Sequence, residues 1–404
     1  MKKYNFIDLF AGCGGLSEGF YKEEFNALAH VEIDPTACKT LKTRMKHYNY
    51  KNYDDAVLEM DITSENIVSE LDGVVGDKNV DLIIGGPPCQ SFSTLGRARD
   101  SCGMKNDPRN FLFESYVKIL NHYLPKIFVF ENVTGILTQK VDGKNIIDLI
   151  IRDLSENYKV KFDPDLIILN SADYGVPQIR KRVIIIGIRK DIDMDVEEIY
   201  NGILKTHYNP ETEKKFRKGL KKFVTVEDAI SELPFLNEGE GEKEISFSYK
   251  RDNDFLKKIT PKNFNVLRDH VCRHHNEMDV KRYKAMAKNH WTFKELLENC
   301  PELRHEKKRV FGNSYVVQWW DLPSKTIIAH LYKDGNQFIH PDYEQGRTIT
   351  VREAARLQSF PDDFVFEGPR TQQFKQIGNA VPPLLSEAIA KCILNKLKII
   401  EENN

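Results

Sequence analysis

Short apolar runs punctuate the first 190 positions, and stretches of helical periodicity separate several of them. NFIDLF (5–10), ALAHVEI (27–33), AVLEMDI (56–62), VDLIIGG (80–86), IFVFENV (127–133), DLIILNS (165–171) and RVIIIGI (182–188) read as seven strands. Helical periodicity fills 35–45 and 113–124. Runs that are apolar on consecutive positions suit strands buried on both faces, so the pattern predicts an α/β fold with a mostly parallel sheet covered by helices.

After Arg189 the rhythm breaks. Residues 190–346 are polar, dotted with aromatics and irregular, and include the run NEGEGEKE at 237–244. A boundary is expected near 190–205. Regular patterning resumes beyond Gly346, with helices expected at about 351–358 and 384–397. The expected division is a catalytic and cofactor-binding domain over 1–190, a smaller domain over 191–346, and a segment over 347–404 that returns to the first domain.

Composition narrows the class without naming a chemistry. A chain of 404 residues suits one large domain with a smaller one, and 41% hydrophobic with 29% charged residues is ordinary for a soluble globular protein. No apolar run approaches the roughly 18 residues of a membrane span. The start MKKYNFIDLF enters a strand pattern instead of a signal peptide, so the cytoplasm is the expected location. Seven cysteines, at 13, 38, 89, 102, 272, 300 and 392, form no Cys-x-x-Cys pair, which argues against zinc or a disulfide framework. The net charge of −1 leaves no footprint for nucleic acid. Locally, though, residues 268–309 hold eleven Lys/Arg against seven Asp/Glu, and five of the eleven histidines. A solvated helix face is the plain reading of such a run.

In open α/β sheets ligands bind at the carboxyl ends of the strands, and five of these ends carry unusual residues. The first leads into Phe10-Ala11-Gly12-Cys13-Gly14-Gly15-Leu16, a glycine turn that would serve a nicotinamide, a flavin or S-adenosylmethionine. Glu32 stands where a carboxylate could take both ribose hydroxyls. Asp61, at the third end, suits an adenine amino group better than a pyrophosphate, since two phosphates beside two acids would be repelled. The fourth run ends in GGPPCQSFS, where two prolines hold Cys89 on a loop as a candidate nucleophile. Glu131 closes the fifth, and burial there is expected to raise its pKa and make it an acid. In QIRKRV, alternation is expected to aim Arg180 and Arg182 to one side, with a surface ion-pair ladder as the alternative.

These motifs stand in the order FAGCGG (10–15), GGPPCQSFS (85–93), ENV (131–133), QIRKR (178–182), RTITVREAARLQSFPDDF (347–364) and QIGNAVPP (376–383). Together they resemble the cytosine carbon-5 DNA methyltransferases. The resemblance implies a Rossmann-like, S-adenosylmethionine-dependent methyltransferase fold with a seven-stranded sheet, and a target-recognition domain over 191–346. It implies Cys89 as nucleophile, Glu131 on ring nitrogen 3 and the exocyclic amine of a flipped cytosine, Arg182 on the carbonyl oxygen, and Arg180 bracing the loop. Phe10, Gly12, Gly14, Gly15, Leu16, Glu32, Ile33, Asp61, Ile62, Pro87, Asn379 and Ala380 would surround the cofactor. Gln90, Ser91, Arg347 and Arg352 would serve DNA binding, with Glu353 organising the same segment. Ile349 stands where the family commonly has leucine, a change that touches nothing catalytic. The expected partner is double-stranded DNA, met in the nucleoid by a monomer that works beside a cognate restriction endonuclease; no metal is expected. A transfer-RNA carbon-5 methyltransferase shares these motifs, but the Cys-Phe-Thr of that branch is absent. An inactive DNA-binding paralogue is the other alternative, against which Cys89, Glu131 and Arg182 are all present. A nicotinamide oxidoreductase would leave PPCQ and GNAVPP unexplained.

Overall fold

The computed structural model describes residues 3–88, 112–141, 143–211, 219–304 and 314–403. By its contacts the chain divides into two compact units, one made of residues 1–171, 181–205 and 383–404, the other of 172–180 and 206–382.

The first unit is built on the predicted sheet. Strands β1 (Asn5–Leu9), β2 (Asn26–Glu32), β3 (Val57–Glu59), β4 (Leu82–Gly85) and β5 (Ile127–Val133) run parallel in the order β3-β2-β1-β4-β5. Three more follow, β6 (Tyr158–Val160), β7 (Ile168–Asn170) and β8 (Lys181–Arg189), with β8 antiparallel to β5 and paired to both β6 and β7. The sheet therefore has eight strands among the described residues, not the seven expected. Tyr158–Val160 escaped the sequence reading because three residues around a half-buried lysine carry no period. Phe6, Ile7, Ile83, Ile84, Phe128, Val129, Ile184 and Ile185 are fully buried, which is why the runs are apolar on consecutive positions.

Helices α1 (Gly15–Lys22), α2 (Pro35–His47), α3 (Ile67–Val75), α4 (Leu112–Tyr123), α5 (Ile146–Leu154) and the closing helix Pro383–Glu402 belong to this unit. The start of α2 is set by Asp34, whose side chain accepts from the backbone N–H of Thr36 and Ala37, and by Pro35 in the first turn. A Cβ at Gly19 would stand 2.2 Å from the Glu387 backbone nitrogen, so α1 meets the closing helix only because that side chain is missing. Strand order reverses at β1, which lies between β2 and β4, and there a crevice is expected to hold a ligand.

The second unit holds an antiparallel pair, β9 (Gly241–Ser246) with β10 (Val266–Val271), and helices α6 (Glu277–Asn289), α7 (Phe293–Asn299), α8 (Val351–Leu357) and α9 (Arg370–Asn379). Tyr283, Met286, Phe293, Leu296, Leu303, Tyr315 and Ile339 form a buried core under α6 and α7. These two helices were hidden in sequence by their polarity. A capping box, Thr292 with Glu295, starts α7, and another, Thr350 with Glu353, starts α8.

The expectation that 347–404 returns as one piece to the first domain needs correcting. Only 383–404 does so, while 347–382 packs within the second unit. Buried polar bonds tie it there: Arg352 donates to the Arg268 carbonyl at 2.9 Å, and Arg356 to the Ala229 carbonyl at 2.9 Å and to Glu232 at 2.7 Å. Residues 172–180, with Gln178 and Arg180, also fall in the second unit. Among the described residues no single helix is long and apolar enough to cross a membrane, and no group of side chains has the make-up of a metal site.

Candidate active site at the strand ends

The turn after β1 bends through left-handed backbone at Phe10 (φ 60°), Gly12 (φ 56°) and Gly14 (φ 87°) before α1 begins. A non-glycine residue at φ +60° is unusual and tends to mark functional backbone. The Gly12 N–H donates to Glu32 Oε2 at 2.8 Å, while Oε1 of Glu32 accepts from the backbone N–H of Ile33 at 2.9 Å and of Asp34 at 2.8 Å. Three amides thus orient one carboxylate. Burial raises its pKa, with the three hydrogen bonds pulling the other way.

Beneath the turn lies a group the sequence reading passed over. Asp8 is buried in β1 and accepts a hydrogen bond from the Ser17 hydroxyl of α1; burial pushes it up to about 8, and nearby Glu32 adds to the rise. An aspartate inside the otherwise apolar NFIDLF was the available signal.

The remaining first-unit cofactor candidates stand at neighbouring strand ends. Ile33 is 63% exposed, and Asp61, two residues beyond β3, is also exposed, with Oδ1 accepting from the N–H and hydroxyl of Thr63. Gly15, Leu16, Ile62 and Pro87 are buried, and Phe10 is half-buried. Beside Gly12 a Cβ would meet nothing within 4 Å among the described residues. These residues fit an adenosine-bearing methyl donor: Glu32 Oε2 takes one hydrogen bond and retains capacity for a hydroxyl, Ile33 offers an apolar face, and Asp61 offers an acceptor. Asn379 and Ala380 end α9 in the second unit, Asn379 exposed and Ala380 buried.

At the end of β4 the backbone reaches Gly86, Pro87 and Pro88; Cys89, Gln90 and Ser91 lie outside the described residues. In the parallel ladder Gly85 pairs with Phe130, so Glu131 stands beside this exit. Oε1 of Glu131 lies 2.9 Å from Nε of Arg182, with both side chains about nine-tenths buried (13% and 11% exposed). Arg182 also donates to the Lys181 carbonyl at 2.8 Å, and burial lowers its pKa. The lone buried acid expected from sequence is therefore one half of an ion pair. Asn132, a residue given no role from sequence, donates its side-chain amide to the Pro87 carbonyl at 3.1 Å and anchors the Pro-Pro turn.

Arg180 does not share this place. It precedes β8, so the alternation argument fails for it; its guanidinium is buried in the second unit and donates to the backbone carbonyls of Ile327 at 2.6 Å and Gly378 at 3.0 Å. That is a bracing role, the one the resemblance implies for Arg180. The DNA-binding assignment of Arg347 and Arg352 is corrected. Both are fully buried: Arg347 is bonded to Gln345, Thr348 and Glu353, and Arg352 to the carbonyls of Arg268, Pro361 and Phe364. Arg347 spends its fork on internal acceptors and has none left for a phosphate.

Burial pushes the thiols of Cys13, Cys38, Cys272 and Cys392 up, which makes them inert.

The C-5 cytosine-specific DNA methylase family matches residues 4–395. The chain is 33% identical to the type II methyltransferase M.Bpa9945I of Bacillus paralicheniformis, over 96% of this chain and 98% of that one. It is 34% identical to the type II methyltransferase M.DdeI of Desulfomicrobium norvegicum, over 99% and 91%. A solved E. coli prophage protein, assigned as a DNA modification methyltransferase, superposes with a TM-score of 0.70 at 27% identity, over 98% of this chain and all of that one. Agreement of that extent places the chain in the C-5 cytosine-specific DNA methylase family, as a DNA cytosine methyltransferase.

Proposed function

We propose that the protein methylates carbon 5 of a cytosine flipped out of a specific double-stranded DNA sequence, through a covalent adduct at Cys89, with S-adenosylmethionine as donor. The observation that carries this reading is the Glu131–Arg182 pair set beside the Gly86-Pro87-Pro88 exit of β4, next to the residue where the nucleophile stands in sequence. Bound S-adenosylmethionine supplies the methyl group. Glu32 holds its ribose, Asp61 its adenine amino group, and Phe10, Leu16, Ile33 and Ile62 the apolar faces, with Asn379 and Ala380 assigned to the methionine end.

Carbon 5 of cytosine is a poor nucleophile. The Cys89 thiolate adds at carbon 6, and the electron pair of the 5,6 double bond moves into the ring. Glu131 in its protonated form gives its proton to nitrogen 3, where that pair collects, and takes it back as carbon 5 is methylated, while Arg182 stabilises the carbonyl oxygen. Each such positioned group contributes about 10²–10⁴-fold. After carbon 5 is methylated, its proton leaves to a base, the double bond re-forms, and Cys89 departs as thiolate. A base inside a duplex is out of reach of these groups, so it must swing out at a cost of a few kcal/mol. Gln90 and Ser91 are assigned to the DNA backbone at that step.

The second unit is the part that reads the DNA word. Its α6 supports this: Lys281, Lys284 and Lys288 are exposed on the face opposite the buried Arg282, Tyr283, Met286 and Ala287, a row of charge complementary to phosphate. The type II names of M.Bpa9945I and M.DdeI support a modification enzyme; a cognate restriction endonuclease, a monomeric state and a place in the cytoplasm complete the proposal.

Fluorine at carbon 5 tests the central step, because fluorine cannot leave as a cation and the adduct is trapped. With 5-fluorocytosine at the target and S-adenosylmethionine present, a denaturation-resistant protein–DNA band is expected, with its peptide map placing the cross-link at Cys89. Cys89→Ser should abolish both band and methylation. A cross-link that persists in that variant, or maps to Cys102, overturns the reading.

A further inference from the structure

Two consecutive glycines finish β4, and they lie against different things. A Cβ at Gly85 would stand 2.4 Å from the Leu9 backbone oxygen and 3.1 Å from the Tyr116 ring. A Cβ at Gly86 would stand 2.6 Å from Oε2 of Glu131, with the next nearest atom, the Glu131 backbone oxygen, at 3.5 Å. At Gly85 the obstacle is strand backbone that cannot yield. At Gly86 it is the far end of a side chain that can swing away, and Gly86 itself has no left-handed φ to forbid a larger residue. The fold would tolerate alanine there, and the carboxylate would be what moves.

We propose that Gly86 is a positioning residue for the methylation reaction: its missing side chain reserves the space in which Oε2 of Glu131 stands, and so fixes where that acid meets the cytosine. This rests on the assignment of Glu131 to the base. Oε1 is already held by Arg182, so a methyl group pressing on Oε2 must turn the carboxylate about that anchor, out of line for a hydrogen bond to the ring. Displacements of about 1 Å at a reacting group cost up to about 10²-fold in rate. The neighbouring Asn132 bond to the Pro87 carbonyl keeps the backbone exit in place, which confines the disturbance to the side chain.

The test is a double-mutant cycle on the full chain, read as single-turnover methylation of a duplex target, with donor affinity and unfolding temperature measured alongside. Gly86→Ala is expected to slow turnover by about 10- to 100-fold, while donor affinity and unfolding temperature stay near those of the parent. In the Glu131→Gln background the same alanine should add less than about twofold, since the acid it displaces is already gone. Unchanged turnover in Gly86→Ala overturns the proposal, and so does an equal loss in both backgrounds, which would mean that the alanine acts on the loop. If Glu131→Gln alone leaves turnover intact, the assignment of the acid fails instead, and the two failures are told apart. Should Gly86→Ala not fold, it is combined with Glu131→Asp, whose shorter side chain withdraws the carboxylate. Recovered folding supports the contact, and no recovery overturns it.

Discussion

The strand-end rim of the first unit and the segment Arg347–Asp362 of the second carry charged motif residues of equal prominence in sequence, yet the structure uses them in opposite ways. On the rim, Glu32 is oriented by three amides and keeps acceptor capacity, Asp61 and Ile33 face solvent, and Glu131 meets Arg182 beside the exit of β4. In the segment, Arg347, Arg352, Glu353, Arg356 and Asp362 are all fully buried, and the guanidinium groups are bonded to carboxylates and carbonyls of their own unit. A charge satisfied by the protein has nothing left for a ligand, whereas a charge that is oriented but unsaturated can still act on one. Burial and partners, not motif membership, separate chemistry from scaffolding.

The largest expected effect would break this contrast if it went the other way. Arg347→Ala removes one partner of a fully buried pair, with Nη2 2.7 Å from Glu353 Oε1, and leaves the acid uncompensated. Such losses cost about 3–5 kcal/mol, so thermal unfolding should show a large fall in stability. Glu131→Gln should do the reverse, lowering turnover by about 10²-fold or more while the unfolding temperature falls far less, since the glutamine carbonyl oxygen still accepts from Arg182. If Arg347→Ala unfolds like the parent but binds DNA poorly, the segment is an interface and the contrast is false.

A smaller effect sharpens the same contrast inside the second unit, by setting its buried arginines against its exposed lysines. Replacing Lys281, Lys284 and Lys288 of α6 by glutamine leaves the core face of the helix untouched. Each lost phosphate contact should flatten the slope of log affinity against log salt by about 0.9, with weaker binding to every sequence and an unchanged preferred site. Titration of labelled duplexes at several salt concentrations reads this directly. An unaltered slope would return α6 to a solvated face.

How much of this was legible in sequence follows from what leaves a periodic trace. β1, β2, β4, β5 and β8 were readable because strands buried on both faces must be apolar throughout, and the glycine turn and Pro-Pro loop because backbone demands select those residues. Tyr158–Val160 was too short to show a period, and α6 and α7 face solvent too widely to show a stripe. The partners of Arg180 and Arg352 were invisible because they are backbone carbonyls, which every residue has. The Glu131–Arg182 pair was half legible: both residues were picked out, but their pairing needs the antiparallel return of β8, in which Ile184 stands opposite Glu131.

The smallest effect separates the two units by pH. His340 is buried in the second unit with its ring edge-on to Trp320; Nδ1 accepts from the Asp342 N–H at 3.2 Å, and Nε2 lies 3.5 Å from Glu353 Oε1. Burial first, then Arg347, hold its pKa down to about 3; Glu353 and Asp342 oppose this, and His270 adds to it. His207 and His275 of the same unit are held down to about 4, in both cases chiefly by burial. Below pH 6.5 the unfolded chain takes up protons that these folded rings refuse, so their contribution to stability is complete above about 6.5 and is lost as pH falls toward the folded values. Asp8 of the first unit has the opposite sign: burial pushes it up to about 8, so its contribution is lost as pH rises from about 4 to 8. Acidification from pH 7 to 5 should therefore lower the denaturant midpoint of the second unit, each histidine adding up to about 1.4 kcal/mol per pH unit within its window. His340→Gln keeps an acceptor for the Asp342 N–H but cannot take up a proton, so its midpoint should fall less steeply with acid than that of the parent. Parallel midpoint curves for the two proteins between pH 7 and 5 would show that His340 is not what makes this unit acid-sensitive.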